Sequence, residues 1–108
     1  MSNHAILIPA RFKSSRLPGK PLIEIFGKNL IERVWERCRV IEKNENIFIL
    51  TDNYKIHNFC KKKGINSIIT PTSCMTGTDR IYFFAKKHKY DFYINVQGDE
   101  IFIDPSSI

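Results

Sequence analysis

Apolar residues gather along this chain in two ways: short unbroken runs, and longer stretches where they recur every three or four positions. The first run, 4–10 (His-Ala-Ile-Leu-Ile-Pro-Ala), lacks polar alternation, the profile of a strand buried on both faces of a parallel sheet. Residues 46–51, 66–70 and 91–96 read as further strands, and 21–26 as a brief extended segment broken by Gly27. A helix is predicted over 29–41, capped by Asn29, with Leu30, Ile31, Val34, Trp35, Cys38 and Ile41 on one face. A second over 53–63 turns Ile56, Phe59 and Cys60 inward and stops at Gly64. A third over 78–88 does the same with Ile81, Phe84 and Ala85. Strands alternating with helices of about ten residues predict βαβ units. Right-handed crossovers then put helices on both faces of the sheet. The expected class is α/β, three αβα layers around a mostly parallel sheet.

Residues 104–107 (Asp-Pro-Ser-Ser) read as an N-cap followed by proline at the first helical position, yet the printed chain stops before such a helix. The expectation is one domain, 1–108, cut short, with the sheet completed by strands not present here.

Composition narrows the classes of function. The chain has 108 residues, 43% of them hydrophobic, enough for a core. No apolar stretch approaches the roughly 20 residues that span a bilayer. The start, Met-Ser-Asn-His, lacks the basic leader and apolar region of a secretory signal, so a cytoplasmic location is expected. The three cysteines are far apart with no Cys-x-x-Cys pair, and the three histidines are isolated, which argues against a zinc site. A net charge of +6 invites a nucleic-acid reading. However, Lys61–Lys63 and Lys86, Lys87 and Lys89 fall at the ends of predicted helices, where cations complement the helix dipole. No basic stripe interleaved with aromatics accompanies them, so neither nucleic acid nor a membrane is the expected partner.

Open parallel sheets bind ligands beyond the carboxyl ends of their strands, where the strand order reverses. Two segments fall at such ends. The loop 11–20 crowds Arg11, Arg16 and Lys20 around Ser14 and Ser15, a composition suited to a polyphosphate. Its bland alternative is a surface turn shaped by Pro18, Gly19 and Pro21. After the fourth main strand comes Gln97-Gly98-Asp99-Glu100, where Asp99 is a fit ligand for Mg²⁺, a hard cation content with few carboxylates. Here the alternative is a polar exit from the strand. A weaker element, Thr76-Gly77-Thr78-Asp79-Arg80, is either a capped helix start or a set of amides facing the same crevice. Weaker still is Thr51-Asp52, at the end of the second main strand, whose bland alternative is that Asp52 only caps the helix after it.

Ile-Pro-Ala-Arg-x-x-Ser-Ser-Arg-Leu-Pro-Gly-Lys-Pro-Leu, Thr-Gly-Thr-Asp-Arg and Asn-Val-Gln-Gly-Asp-Glu occur in the order and spacing of the 3-deoxy-manno-octulosonate cytidylyltransferases, the CMP-Kdo synthetases. The chain resembles about the N-terminal half of that family. Sialic acid activators share Pro-Ala-Arg but continue differently, and spore-coat-type cytidylyltransferases share Ser-x-Arg-Leu-Pro-Gly-Lys but do not usually carry Asn-Val-Gln-Gly-Asp-Glu. The resemblance implies a nucleotide-diphospho-sugar-transferase-like fold and CTP bound by the Ala10 backbone, Arg11, Ser14, Ser15, Arg16 and Lys20. It places Thr78 and Arg80 near the nucleotide, Gln97 at base or sugar, and Mg²⁺ on Asp99. Lys20, Arg16 and Asp99 are the implied catalytic set. The implied reaction joins CTP and Kdo into CMP-Kdo and pyrophosphate for lipopolysaccharide biosynthesis, in a homodimer. Two departures stand out: Ile101 replaces the family's proline, and Asp79 replaces a common Glu. The second Mg²⁺ carboxylate and most sugar contacts of the family lie beyond Ile108. Two other readings remain open: activation of another acidic sugar, and a fragment that binds nucleotide without turnover.

Overall fold

The computed structural model describes residues 3–11, 24–25, 27–74 and 76–96. Strand β1 (His4–Pro9) lies inside a parallel four-stranded sheet with β4 (Ile47–Thr51), β5 (Ser67–Ile69) and β6 (Phe92–Asn95), in the order β5-β4-β1-β6. Its neighbours are in register Ile6 with Ile47 on one side and Ile6 with Ile94 on the other. A small antiparallel pair, β2 (Glu24–Ile25) and β3 (Lys28–Asn29), stands apart. Gly27, at φ 84°, makes the turn between them, a conformation that suits a residue without Cβ.

Successive strand residues point to opposite faces, and the two faces have different covers. Ile6, Ile8, Ile47 and Ile49 meet α1 (Leu30–Arg39) and α2 (Tyr54–Lys63) through Ile31, Val34, Cys38, Ile56 and Cys60. Ala5, Leu7 and Leu50 meet Phe84 of α3 (Gly77–Lys87), with Phe48, Ile81 and Tyr93 packed around them. Topology explains the split. Crossovers β1 to β4 and β4 to β5 step in one direction, whereas β5 to β6 jumps back past β1. Keeping every crossover right-handed puts the third helix on the opposite face.

The helix ends are set locally. Asn29 Oδ1 accepts from the Glu32 amide at 3.0 Å, and Asn53 Oδ1 accepts from Lys55 and Ile56. Gly64, at φ 74°, closes α2 in the left-handed conformation behind Lys61–Lys63. Two expectations shift. The first helix ends at Arg39, so Ile41 leaves its apolar face and is 41% exposed. The third starts at Gly77 and is capped by Thr76, one turn-position earlier than the apolar spacing suggested. Among the described residues no helix is long and apolar enough to cross a membrane. The expected helix start at 104–107 lies outside the described residues.

Candidate nucleotide crevice

From β1 the crossovers lead towards β4, and β6 lies on the other flank, so strand order reverses between β1 and β6. The carboxyl ends of these two strands therefore flank the position where open α/β sheets bind ligands. Pairing extends slightly past both. Ala10, fully inside the fold, donates its amide to the Leu50 carbonyl at 2.8 Å, and Val96 donates to Leu7 at 3.0 Å. Ala10's N–H is thus taken by the sheet and is not open to a ligand. Arg11 follows directly and is exposed at the strand's mouth.

The start of α3 joins them. A methyl group on Gly77 would stand 3.4 Å from Pro9 Cγ, so the helix begins against the end of β1. Thr76 and Asp79 form a reciprocal capping box: the Asp79 amide donates to Thr76 Oγ1 at 3.1 Å, and the Thr76 amide donates to Asp79 Oδ2 at 3.2 Å. Asp79, the unusual residue in its motif, is thus sufficient for a cap that a Glu would also make. Gly77 and Thr78 open the helix, where amides have no carbonyl one turn earlier to bond and present partial positive charge. Thr78 is exposed.

Arg80 goes elsewhere than Thr78. It is 1% exposed, and its guanidinium donates from Nη1 to Thr70 Oγ1 at 2.6 Å and from Nη2 to Asp52 Oδ2 at 3.2 Å. Nε is buried with no acceptor among the described residues. Asp52 therefore does not cap α2, a task taken by Asn53; it is the counter-ion of a buried arginine. Sequence spacing held a clue to the burial of Arg80, though not to its partner. Arg80 lies four positions before Phe84, on the same helical face, and a buried guanidinium needs an anion nearby.

Ala10, Arg11 and Thr78 are brought to one edge by these elements, while Arg80 reaches from the same helix turn towards the ends of β4 and β5. Ser14, Ser15, Arg16, Lys20, Gln97 and Asp99 lie outside the described residues. Among the described residues no group of three His, Cys, Asp or Glu side chains could hold a metal. Burial pushes the Cys38 thiol up to about 11. It pushes Cys60 up to about 12, against a weaker opposing hydrogen bond from Ser67. Both are packing residues in the α1 and α2 layer.

A family model described as cytidylyltransferase matches residues 5–108. Among curated proteins, the mitochondrial 3-deoxy-manno-octulosonate cytidylyltransferase of Arabidopsis thaliana is 42% identical, over 94% of this chain and 36% of its own length. The 3-deoxy-manno-octulosonate cytidylyltransferase of Escherichia coli is 40% identical, over all of this chain and 44% of its own. A solved CMP:2-keto-3-deoxy-manno-octonic acid synthetase, complexed with CTP, superposes with a TM-score of 0.93 at 40% identity. That match covers 98% of this chain and 44% of the other. A cytidylyltransferase from Leptospira borgpetersenii superposes with a TM-score of 0.84 at 26% identity, over 99% of this chain and 46% of its own. The chain thus spans less than half the length of the relatives it matches. With the motifs, the sheet order and these likenesses in agreement, the chain belongs to the cytidylyltransferase family.

Proposed function

We propose that this chain forms the CTP-binding part of an enzyme that transfers CMP from CTP to 3-deoxy-manno-octulosonate, releasing pyrophosphate. The observation that carries this reading is the placement of Pro9-Ala10-Arg11, the start of α3 and the end of β6 around one reversal of strand order. Similarity to a synthetase solved with CTP supports the choice of nucleotide.

In this reading Arg11, Ser14, Ser15, Arg16 and Lys20 cradle the triphosphate, and the Ala10 carbonyl faces the base or sugar. Thr78 stands on the nucleotide's other flank and Gln97 at base or sugar, while Arg80 is held behind that flank by Asp52 and Thr70. The sugar hydroxyl attacks the α-phosphorus in line, the bond to the bridging oxygen breaks, pyrophosphate departs, and the hydroxyl proton passes to solvent. Arg16 and Lys20 neutralise the charge that grows on the leaving group, so catalysis is mainly positioning and electrostatics. A lone carboxylate beside a triphosphate suits Mg²⁺, which takes one or two carboxylates and completes its shell with phosphate oxygens and water. Asp99, in the motif after the fourth main strand, is the residue that would hold the ion. Bound there, Mg²⁺ would screen the α-phosphate. The family's homodimer, cytoplasmic location and supply of CMP-Kdo to lipopolysaccharide are part of the same proposal.

The test is pyrophosphate release from CTP and Mg²⁺ with Kdo, an 8-amino Kdo analogue or a sialic acid, in a form extended to the relatives' length. Kdo is expected to give the highest kcat/KM. Lys20→Ala or Asp99→Asn should each lower turnover by about 10²–10³. Near-native turnover in either variant refutes that residue's role, and a preference for another acid refutes the sugar. A chain that binds CTP in titration but releases no pyrophosphate would be a nucleotide-binding part only.

A further inference from the structure

Arg80 cannot shed its proton at any ordinary pH, so its burial requires a permanent counter-charge. Asp52, directly after β4, supplies it at 3.2 Å, and Thr70, directly after β5, accepts a second bond at 2.6 Å. Thr70 is itself fixed: its amide donates to the Thr51 carbonyl at 2.8 Å. One side chain of α3's first turn is therefore tied to the carboxyl ends of two strands, while Gly77 of that turn abuts Pro9 on a third. Apolar packing sets how far a helix stands from a sheet but tolerates sliding. Hydrogen bonds of fixed length and direction do not.

We propose that Asp52 and Thr70 are positioning residues, holding Arg80 and through it the opening turn of α3 in the register that presents its amides to the nucleotide. The proposal rests on the reading of this edge as a CTP site. Neither residue touches the reacting atoms. Each acts through Arg80, and its Nε, without an acceptor among the described residues, lies in the cluster they fix.

The experiment compares the unaltered chain with Asp52→Asn, Thr70→Val and Thr70→Ser, following amide hydrogen exchange by NMR and CTP affinity by calorimetry. Asp52→Asn and Thr70→Val should speed exchange at the Asp79 and Arg80 amides at least tenfold while Ile6 and Ile8 in β1 keep their rates. The same variants should bind CTP about tenfold more weakly. Thr70→Ser, which keeps the hydroxyl, should restore both. Should Asp52→Asn fail to fold, the Thr70 pair carries the comparison. Unchanged exchange at Asp79 and Arg80, acceleration spread evenly over all amides, or native CTP affinity in a folded Thr70→Val protein would each overturn the proposal. If the unaltered chain binds no CTP, the functional reading falls instead, and exchange alone then decides whether the two residues fix the turn.

Discussion

Phe84 is the side chain by which α3 is anchored to its face of the sheet, and removing its ring should be costly. It is fully buried, with ring centroids 4.8 Å from Phe48, 4.6 Å from His88 and 6.3 Å from both Tyr90 and Tyr93. Returning such a side chain to water forfeits about 1.5–3 kcal/mol of transfer energy. Phe84→Ala adds a cavity whose floor, Ala5, Leu7 and Leu50, belongs to hydrogen-bonded strands and cannot collapse into it. Sum and precedent both give about 3–5 kcal/mol, a third or more of the stability of an average domain. With a urea slope of about 2 kcal/mol per molar, the midpoint should fall by about 2 M. The assay is urea unfolding followed by far-ultraviolet circular dichroism, with Tyr82→Ala as control. Tyr82 lies on the same helix but is 64% exposed, its ring 4.7 Å from Lys86 Nζ, and its loss should cost less than about 1 kcal/mol. A Phe84→Ala penalty no larger than the control's would refute the assignment of α3's anchorage to this ring.

Alkylation under native conditions should modify Cys74, which is partly exposed, and leave Cys38 and Cys60 untouched until urea is added; mass spectrometry counts the adducts, and rapid labelling of either buried thiol contradicts the packing described. Burial, then the nearby Lys61 charge, lowers the pKa of His57, whose Nδ1 lies 2.9 Å from Ser67 Oγ. The unfolded chain therefore binds this proton more readily, so stability should decline as pH falls below the ordinary histidine value of 6.5. In urea titrations between pH 7.5 and 5.0, His57→Gln should show a shallower loss than the unaltered chain, and identical slopes would dismiss the effect.

Sequence alone determined the order of the main strands and helices, the Asn29 cap, the stop at Gly64 and the family, because each is written in short-range periodicity or in contiguous motifs. The cap of the second helix it placed one residue early, at Asp52 instead of Asn53. Apolar runs without alternation announced strands covered on both sides, and the sheet has that form at β1 and β4. What spacing along the chain could not supply was the order of strands across the sheet. That order is set by pairings between residues as distant as Ile6 and Ile94, and it is what makes the ends of β1 and β6 neighbours. The pairing of Asp52 with Arg80, 28 positions apart, was equally hidden. Read locally, Asp52 is a weak site candidate or a helix cap, and Arg80 belongs either to a capped helix start or to the crevice; neither reading pairs them. Only the crossover that lays α3 over the sheet brings them together, and the cost of burying an unpaired guanidinium makes their meeting obligatory.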